Sequence, residues 1–457
     1  MRLDANIFSL LLISVQSSAH IAAAFSSSRS IAASSRRTAA AASTALLRMA
    51  STMSVDAAAA SAAAASNPFL QQEGLPKFEK LEPEFLSPAV EELLAKLEAD
   101  FTKLEDTLSE NKDACVEYDD VVPVIEKMQY PLGYVWGVAG HLNGVKNGDE
   151  LREAYESNQP KVVESMTRFS QSKPLYDALS SIQQQWESEE SSEVSFLNQQ
   201  KRRAVENSLL GMKLGGVGLE GAEKERFNEI KQRLAKLSTT FSNNVLDDTK
   251  AFSHVVEDPS VMDGVPESAK ALWANSYLQS EAAKKEDGDD TEAPSLEEAT
   301  KNGPWRITAD IPSYLPAMSH LSDRGIRELL YKAYISKAAE SSDNKNNVPL
   351  IYEILTLKQE MAKLLGFSNY AELSLAKKMA PGVEDVTALT DLMAAKAVPA
   401  AQKELAEVTA LARKEGGDEY AEDKLEKLEP WDVTYWVSIR KTKGVLFVLI
   451  RYNSDKY

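Results

Sequence analysis

The sequence holds a single cysteine, Cys115, among 457 residues. One cysteine excludes an intrachain disulfide and a thiolate zinc cluster. Nothing around Cys115 supplies a base, so it is expected to be a small buried apolar residue rather than a catalytic thiol. Histidine is nearly as scarce: His20, His141, His254 and His320 are all there is. A catalytic zinc commonly takes two histidines four residues apart on one helix, with a glutamate beside the first. No two histidines stand that close here, and none is followed by Glu. Also missing is G-x-S-x-G, the serine nucleophile elbow. The expected catalytic, cofactor-binding and metal-ligating residues are therefore none.

Positive charge is short as well, with 51 Lys and Arg against 69 Asp and Glu and a net charge of −18. The front runs the other way: Arg2, Arg29, Arg36, Arg37 and Arg48 face Asp4 alone before position 56. The remainder is thus strongly acidic and repels nucleic acid and anionic lipid, so neither is expected as a partner once the front segment is gone.

Long apolar runs are absent. The run Ile7 to Val15 is too short to span a bilayer, and with Arg2 before it and Ala22 to Ala24 after it reads as a secretory signal, 1–24. Residues 25–55 have no acidic residue and are rich in Ser, Ala and Arg, which is transit-peptide composition. A signal followed by a transit segment resembles the two-part presequence of algae with secondary plastids. The expected destination is a plastid, with mitochondrion or cytosol as the alternatives. The tract Ala57 to Ala65 reads as a linker, so 1–66 is presequence and linker.

Beyond it the helix period dominates. Ser87-Pro88 predicts an N-cap, and Val90, Leu93, Leu94, Leu97, Phe101, Leu104 and Leu108 form one stripe. Phe227, Ile230, Leu234, Leu237 and Phe241 form another, as do Ile354, Leu357, Met361 and Leu364, with Gly366 as the stop. Strand signals are two, Phe252 to Val256 and Trp305 to Ala309, which are expected to pair. The acidic, turn-rich stretch 280–303 predicts a solvated insertion.

Gly216, Gly218 and Gly221 match G-x-G-x-x-G, but a helical pattern precedes them where a dinucleotide fold needs a strand, so they predict a helix-to-helix loop. The pairs Asp119-Asp120 and Asp247-Asp248 cannot be raised to a catalytic dyad in so acidic a chain.

Seven stretches carry a resemblance in order and spacing: Phe78 to Val90, His141 to Glu156, Phe241 to Thr249, Asp310 to Met318, Arg327 to Tyr334, Leu364 to Ala380 and Pro430 to Trp436. Together they resemble the front part of zinc oligopeptidases of the thimet oligopeptidase family, oligopeptidase A branch. That resemblance implies a mainly all-α, two-lobed metallo-oligopeptidase with a small β element around a channel that admits short peptides. It implies Zn2+ in the full-length family, held by His-Glu-x-x-His and a further glutamate, none of which can be mapped here. The chain is accordingly expected to stop before the catalytic part, to bind no zinc and to be inactive, although the family is a zinc metalloendopeptidase. The expected division is 67–260, an N-terminal helical domain, 261–436, a continuing helical body, and 437–457, an aberrant tail. Short peptides are the implied partners and a monomer the implied state. The alternative is a non-catalytic helical module for peptide binding or interaction.

Overall fold

The computed structural model describes residues 67–454 apart from 111–115, 189–195, 285–293, 340–344 and 425. The presequence and Cys115 therefore lie outside the described residues.

Five helices build the first core: α1 (Leu86–Glu110), α2 (Tyr118–Val145), α3 (Asp149–Ser170), α4 (Lys173–Ser188) and α5 (Phe196–Leu214). The stripe read from the sequence faces inward, with Val90, Phe101 and Leu104 fully buried and Leu93 and Leu94 at its margin. Phe101 stacks on Phe169 of α3 at 3.7 Å between centroids. Burying a side chain of this size contributes about 2 kcal/mol, so α1 is held by its apolar face rather than by propensity.

Ser87 is not the N-cap that the Ser-Pro pair predicts. Short helical turns at Pro83–Phe85 lead straight into α1, which begins at Leu86, and the Ser87 hydroxyl instead accepts from Asn158 Nδ2 of α3 at 2.7 Å. A tertiary partner has taken the side chain that local capping would have used.

The long helix α6 (Gly221–Ala251) leaves this core and leads to β1 (Ser253–Val256), α7 (Glu267–Ala282), α8 (Leu296–Asn302) and β2 (Trp305–Thr308). The two strands pair antiparallel, Ser253 opposite Thr308 and Val256 opposite Trp305, as their alternation predicts. Trp305 and Ile307 point into a second core with Trp273 of α7. The stretch 280–303 is not solvated throughout: α8 packs on α7, with Ala299 buried at its centre. Gly303, at φ +74°, ends α8 where a Cβ would sit 2.7 Å from the Trp305 ring, so only glycine fits. The acidic composition hid one apolar turn that a neighbouring tryptophan requires.

Next come α9 (Ile311–His320), α10 (Arg324–Ile335), α11 (Val348–Leu364), α12 (Tyr370–Leu375), α13 (Val383–Glu415) and α14 (Pro430–Ser454). Helix α11 lies along α6 through Ile230, Leu237 and Leu357 and ends at Gly366, φ +81°, where Phe367 N–H donates back to Ala362 O. The last turns of α13 meet α14 in a small third core around Ala412, Tyr420 and Trp436. From Trp436 the backbone of α14 continues as helix to Ser454, so the segment read as a tail prolongs an element rather than starting a new one. Among the described residues no helix is long and apolar enough to cross a membrane.

Candidate functional site

Helices α3 and α6 run antiparallel, and their facing positions are polar where bundle helices ordinarily bury aliphatic side chains. Arg152 donates to both Asp247 oxygens at 3.1 and 2.7 Å. Asn243 Nδ2 donates to Glu156 at 2.9 Å, and Gln159 Nε2 to the Thr239 hydroxyl at 2.8 Å. Gln232 Nε2 reaches the carbonyl of Pro160 at 2.9 Å. At the far end Gln171 Nε2 donates to Asn228 Oδ1 at 2.8 Å and to Gly215 O at 3.1 Å. The first three rungs climb α3 through 152, 156 and 159 while descending α6 through 247, 243 and 239, steps of three or four residues that put successive side chains on one helical face. The hydrogen bonds of Arg152 hold the Asp247 carboxyl below the usual carboxylate range.

Beside this ladder opens a groove of about 1390 Å³. Its walls are α3, from Glu156 to Arg168, and α6, from Lys224 to Thr240, with Glu105 of α1 and Lys173 at one end. At 1.5 Å per helical residue the α6 wall is about 24 Å long, room for about seven residues of extended chain. Five carboxylates and five cations line it, so it is close to neutral in a strongly acidic molecule. On the outer flank of α6, Arg226 grips Glu360 at 2.7 and 2.9 Å and Arg233 grips Glu353 at 2.5 and 2.8 Å. These paired hydrogen bonds fix α6 against α11 and hold Arg233, which also lines the groove, in place.

The residues singled out in the sequence are not brought together. Exposed His141 on α2 lies against Phe78 with centroids 5.5 Å apart, His254 is on β1 opposite Ile307, and His320 ends α9, where burial lowers its pKa. Among the described residues no group of three or more His, Cys, Asp or Glu is placed to hold a metal. A zinc cage of the kind the resemblance implies does not fit these side chains. The aspartate pairs diverge as well: Asp247 faces Arg152, whereas Asp248 accepts from the Ala338 N–H at 2.7 Å. Asp119 binds Lys201 at 2.8 Å, while burial raises the Asp120 carboxyl. Gly216, at φ +85°, and Gly218 turn the chain from α5 to α6, as predicted, and the Gly215 carbonyl before them accepts from Gln171. The polar ladder itself was missed. Its only signal in the sequence is Asn, Gln and Thr recurring at helical spacing in two segments, which an exposed face would show equally.

Residues 90–224 match the family described as Neurolysin/Thimet oligopeptidase, N-terminal domain, and residues 317–448 match Peptidase family M3. An organellar oligopeptidase A of Arabidopsis thaliana, chloroplastic/mitochondrial by its name, is 37% identical over 372 residues, 81% of this chain and 43% of that protein. Oligopeptidase A of Haemophilus influenzae is 36% identical over 379 residues, 82% of this chain and 50% of that protein. The enzyme of the same name from Escherichia coli is 34% identical over 385 residues, again 82% and 50%. The chain belongs to the thimet oligopeptidase and oligopeptidase A family. This M3 chain spans about half the length of the relatives it matches. Its second matched region continues past Trp436 to 448, beyond the point where the resemblance read from the sequence stops. The groove straddles the first match, since α3 lies inside it and most of α6 follows it.

Proposed function

We propose that this chain holds short peptides along the α3–α6 groove as the peptide-receiving part of an M3 oligopeptidase, a zinc-dependent endopeptidase. The observation that carries this is the groove, about 24 Å of polar, nearly neutral wall. Such a wall offers amide and charged partners to a peptide backbone without selecting one net charge. No hydrolytic step is assigned to the residues present: His-Glu-x-x-His does not occur in the sequence, and His141, His254 and His320 stand apart. The 457-residue chain by itself is therefore proposed to bind peptides and to lack both zinc and cleavage activity.

The test is fluorescence anisotropy of labelled peptides of five to fifteen residues (about the length the groove admits and beyond), run beside a quenched-peptide cleavage assay and metal analysis. Binding without cleavage supports the proposal. Stoichiometric zinc with cleavage refutes the division between binding and chemistry, and absence of peptide binding refutes the groove.

A second reading, a non-catalytic interaction module, is favoured by α13. Its residues 383–404 are exposed throughout, and Leu389, Leu392 and Met393 are about 60% exposed. A helix with that much apolar surface is suited to a protein partner. Residues 1–55, outside the described structure, are proposed to direct the chain to a plastid. Fusion of residues 1–66 to a fluorescent protein, expressed in an alga with a secondary plastid, tests this by where the fluorescence collects.

A further inference from the structure

Another cavity, of about 430 Å³, lies between the end of α6, α7, β2 and the start of α9. Its volume falls in the range of small-molecule sites. Strand alternation decides what faces it. Trp305 and Ile307 enter the second core, so Arg306 and Thr308 emerge on the opposite face of the two-stranded sheet, which is the wall of this cavity.

The Arg306 guanidinium is half-buried, yet among the described residues no carboxylate stands within ion-pair reach of it. Its side chain makes one polar contact, from NH1 to the Ser276 hydroxyl of α7 at 3.2 Å. An arginine in a cavity wall ordinarily has an anionic partner, because its planar fork of five donors matches a carboxylate. Lys250 adds a second positive charge to the wall while its Nζ donates to the Asn147 carbonyl at 2.8 Å. The one carboxylate of the wall, Asp310, is already engaged, accepting from the Thr308 hydroxyl and facing Lys337. The wall also carries apolar surface from Leu246 and the partly exposed Leu272.

We propose that this cavity is a binding site for a small carboxylate with an apolar side chain. Arg306 takes the carboxylate by paired hydrogen bonds, and Leu246 and Leu272 take the side chain. A single apolar amino acid and the C-terminal residue of a peptide share this chemistry. The site shares no lining residue with the groove and lies further along α6, so it stands or falls without the groove's occupant.

The test is calorimetric titration of the whole chain with N-acetyl-leucine, N-acetyl-leucinamide, leucine and a pentapeptide ending in leucine. N-acetyl-leucine binds, and the amide, which lacks the anion, binds at least about tenfold more weakly, the usual scale for losing a charged hydrogen-bond pair. Arg306→Gln weakens the acid by a similar factor and leaves the amide unchanged. Leu272→Asp, on the exposed flank of α7, places a negative charge at the apolar end and abolishes binding, and it decides the matter should Arg306→Gln fail to fold. Tighter binding of the pentapeptide than of leucine identifies peptide C-termini as the natural source, and the reverse identifies single amino acids. No binding of the acid, equal binding of acid and amide, or full affinity in Leu272→Asp overturns the proposal.

Discussion

Arg327 of α10 and Asp432 in the first turn of α14 are both wholly shielded from solvent, and Arg327 NH2 donates to Asp432 Oδ1 at 3.2 Å. The remaining hydrogen-bonding groups of the pair are taken up around it. NH1 of Arg327 reaches the carbonyls of Leu321 and Ser322 at 2.7 and 2.9 Å, and the Tyr420 hydroxyl donates to Asp432 at 2.9 Å. Arg324 adds a second guanidinium, 2.9 Å from the other carboxylate oxygen. The pair ties α10 to α14 across 105 residues of chain.

Removing one partner strands the other in a medium that cannot solvate it, which costs about 3–5 kcal/mol. Asp432→Ala is therefore expected to lower the urea midpoint sharply. The double variant Arg327→Met with Asp432→Leu, which removes both charges, is expected to recover much of the loss. Equal midpoints for Asp432→Ala and the wild type would show that the network carries no stability.

Peptide binding in the groove predicts that a bulky side chain on its α6 wall blocks it. Thr240→Trp projects from the end of that wall and is expected to weaken anisotropy-detected peptide binding at least about tenfold. Its far-UV circular dichroism should match the wild type. Unaltered affinity would place the peptide elsewhere.

The Arg152–Asp247 rung predicts an acid-sensitive stability. Asp247 is held below its ordinary value in the folded chain. Its contribution is thus fully present above the unfolded carboxyl value, about 3.9, and is lost as pH falls through the lower folded value. Asp247→Asn should be less stable than the wild type at pH 6 and should lose less stability between pH 6 and acid conditions. Parallel stability curves for the two proteins would contradict this.

Lys337 predicts the opposite flank of the pH curve. Burial pushes its ammonium down to about 8 although Asp310 faces it, and its Nζ sits 3.8 Å over the Tyr334 ring while donating to Ala309 O. The unfolded chain keeps this proton to about 10.4, so the unfolded state binds more protons between the two values and stability rises with pH there. Lys337→Met should flatten that rise between pH 8 and 9.5. Above that window Tyr314, whose ionisation burial pushes upward, acts with the reverse sign, because the folded state keeps its proton longer.

Residues 383–404 of α13 are exposed throughout, and Pro399 removes one internal hydrogen bond from that stretch. Isolated helices gain little stability from propensity alone. Amide hydrogen exchange there is expected to be far faster than in α1, whose apolar face is buried. Protection equal to that of α1 would mean that another surface covers α13 in solution.

Much of the fold was legible because its signals are local. The stripe on α1, the glycine stop of α11 and the alternation of Trp305, Ile307 and Ala309 each depend on neighbours within a few residues. Ser87 misled because a serine before proline reads as a cap wherever it occurs, and only Asn158, 71 residues away, decides otherwise. Nothing local marks Arg327 as buried either, since an arginine on an amphipathic helix ordinarily belongs to its solvated edge. The groove was invisible for this reason too: Gln159 and Thr239 are ordinary surface residues until two helices are laid side by side.

By itself the sequence determined a mainly helical chain, two short strands that pair, and a family resemblance spread over collinear blocks. Periodicity and motif order are properties of the chain, readable without knowing what each residue meets. The tertiary structure alone decided which polar groups face one another: the α3–α6 ladder, the shielded Arg327–Asp432 pair and Arg306, beside which no described carboxylate stands. A hydrogen bond is worth little in water and a great deal when its partners are enclosed together. The same side chain can therefore be surface or site, and the packing of distant segments makes the choice.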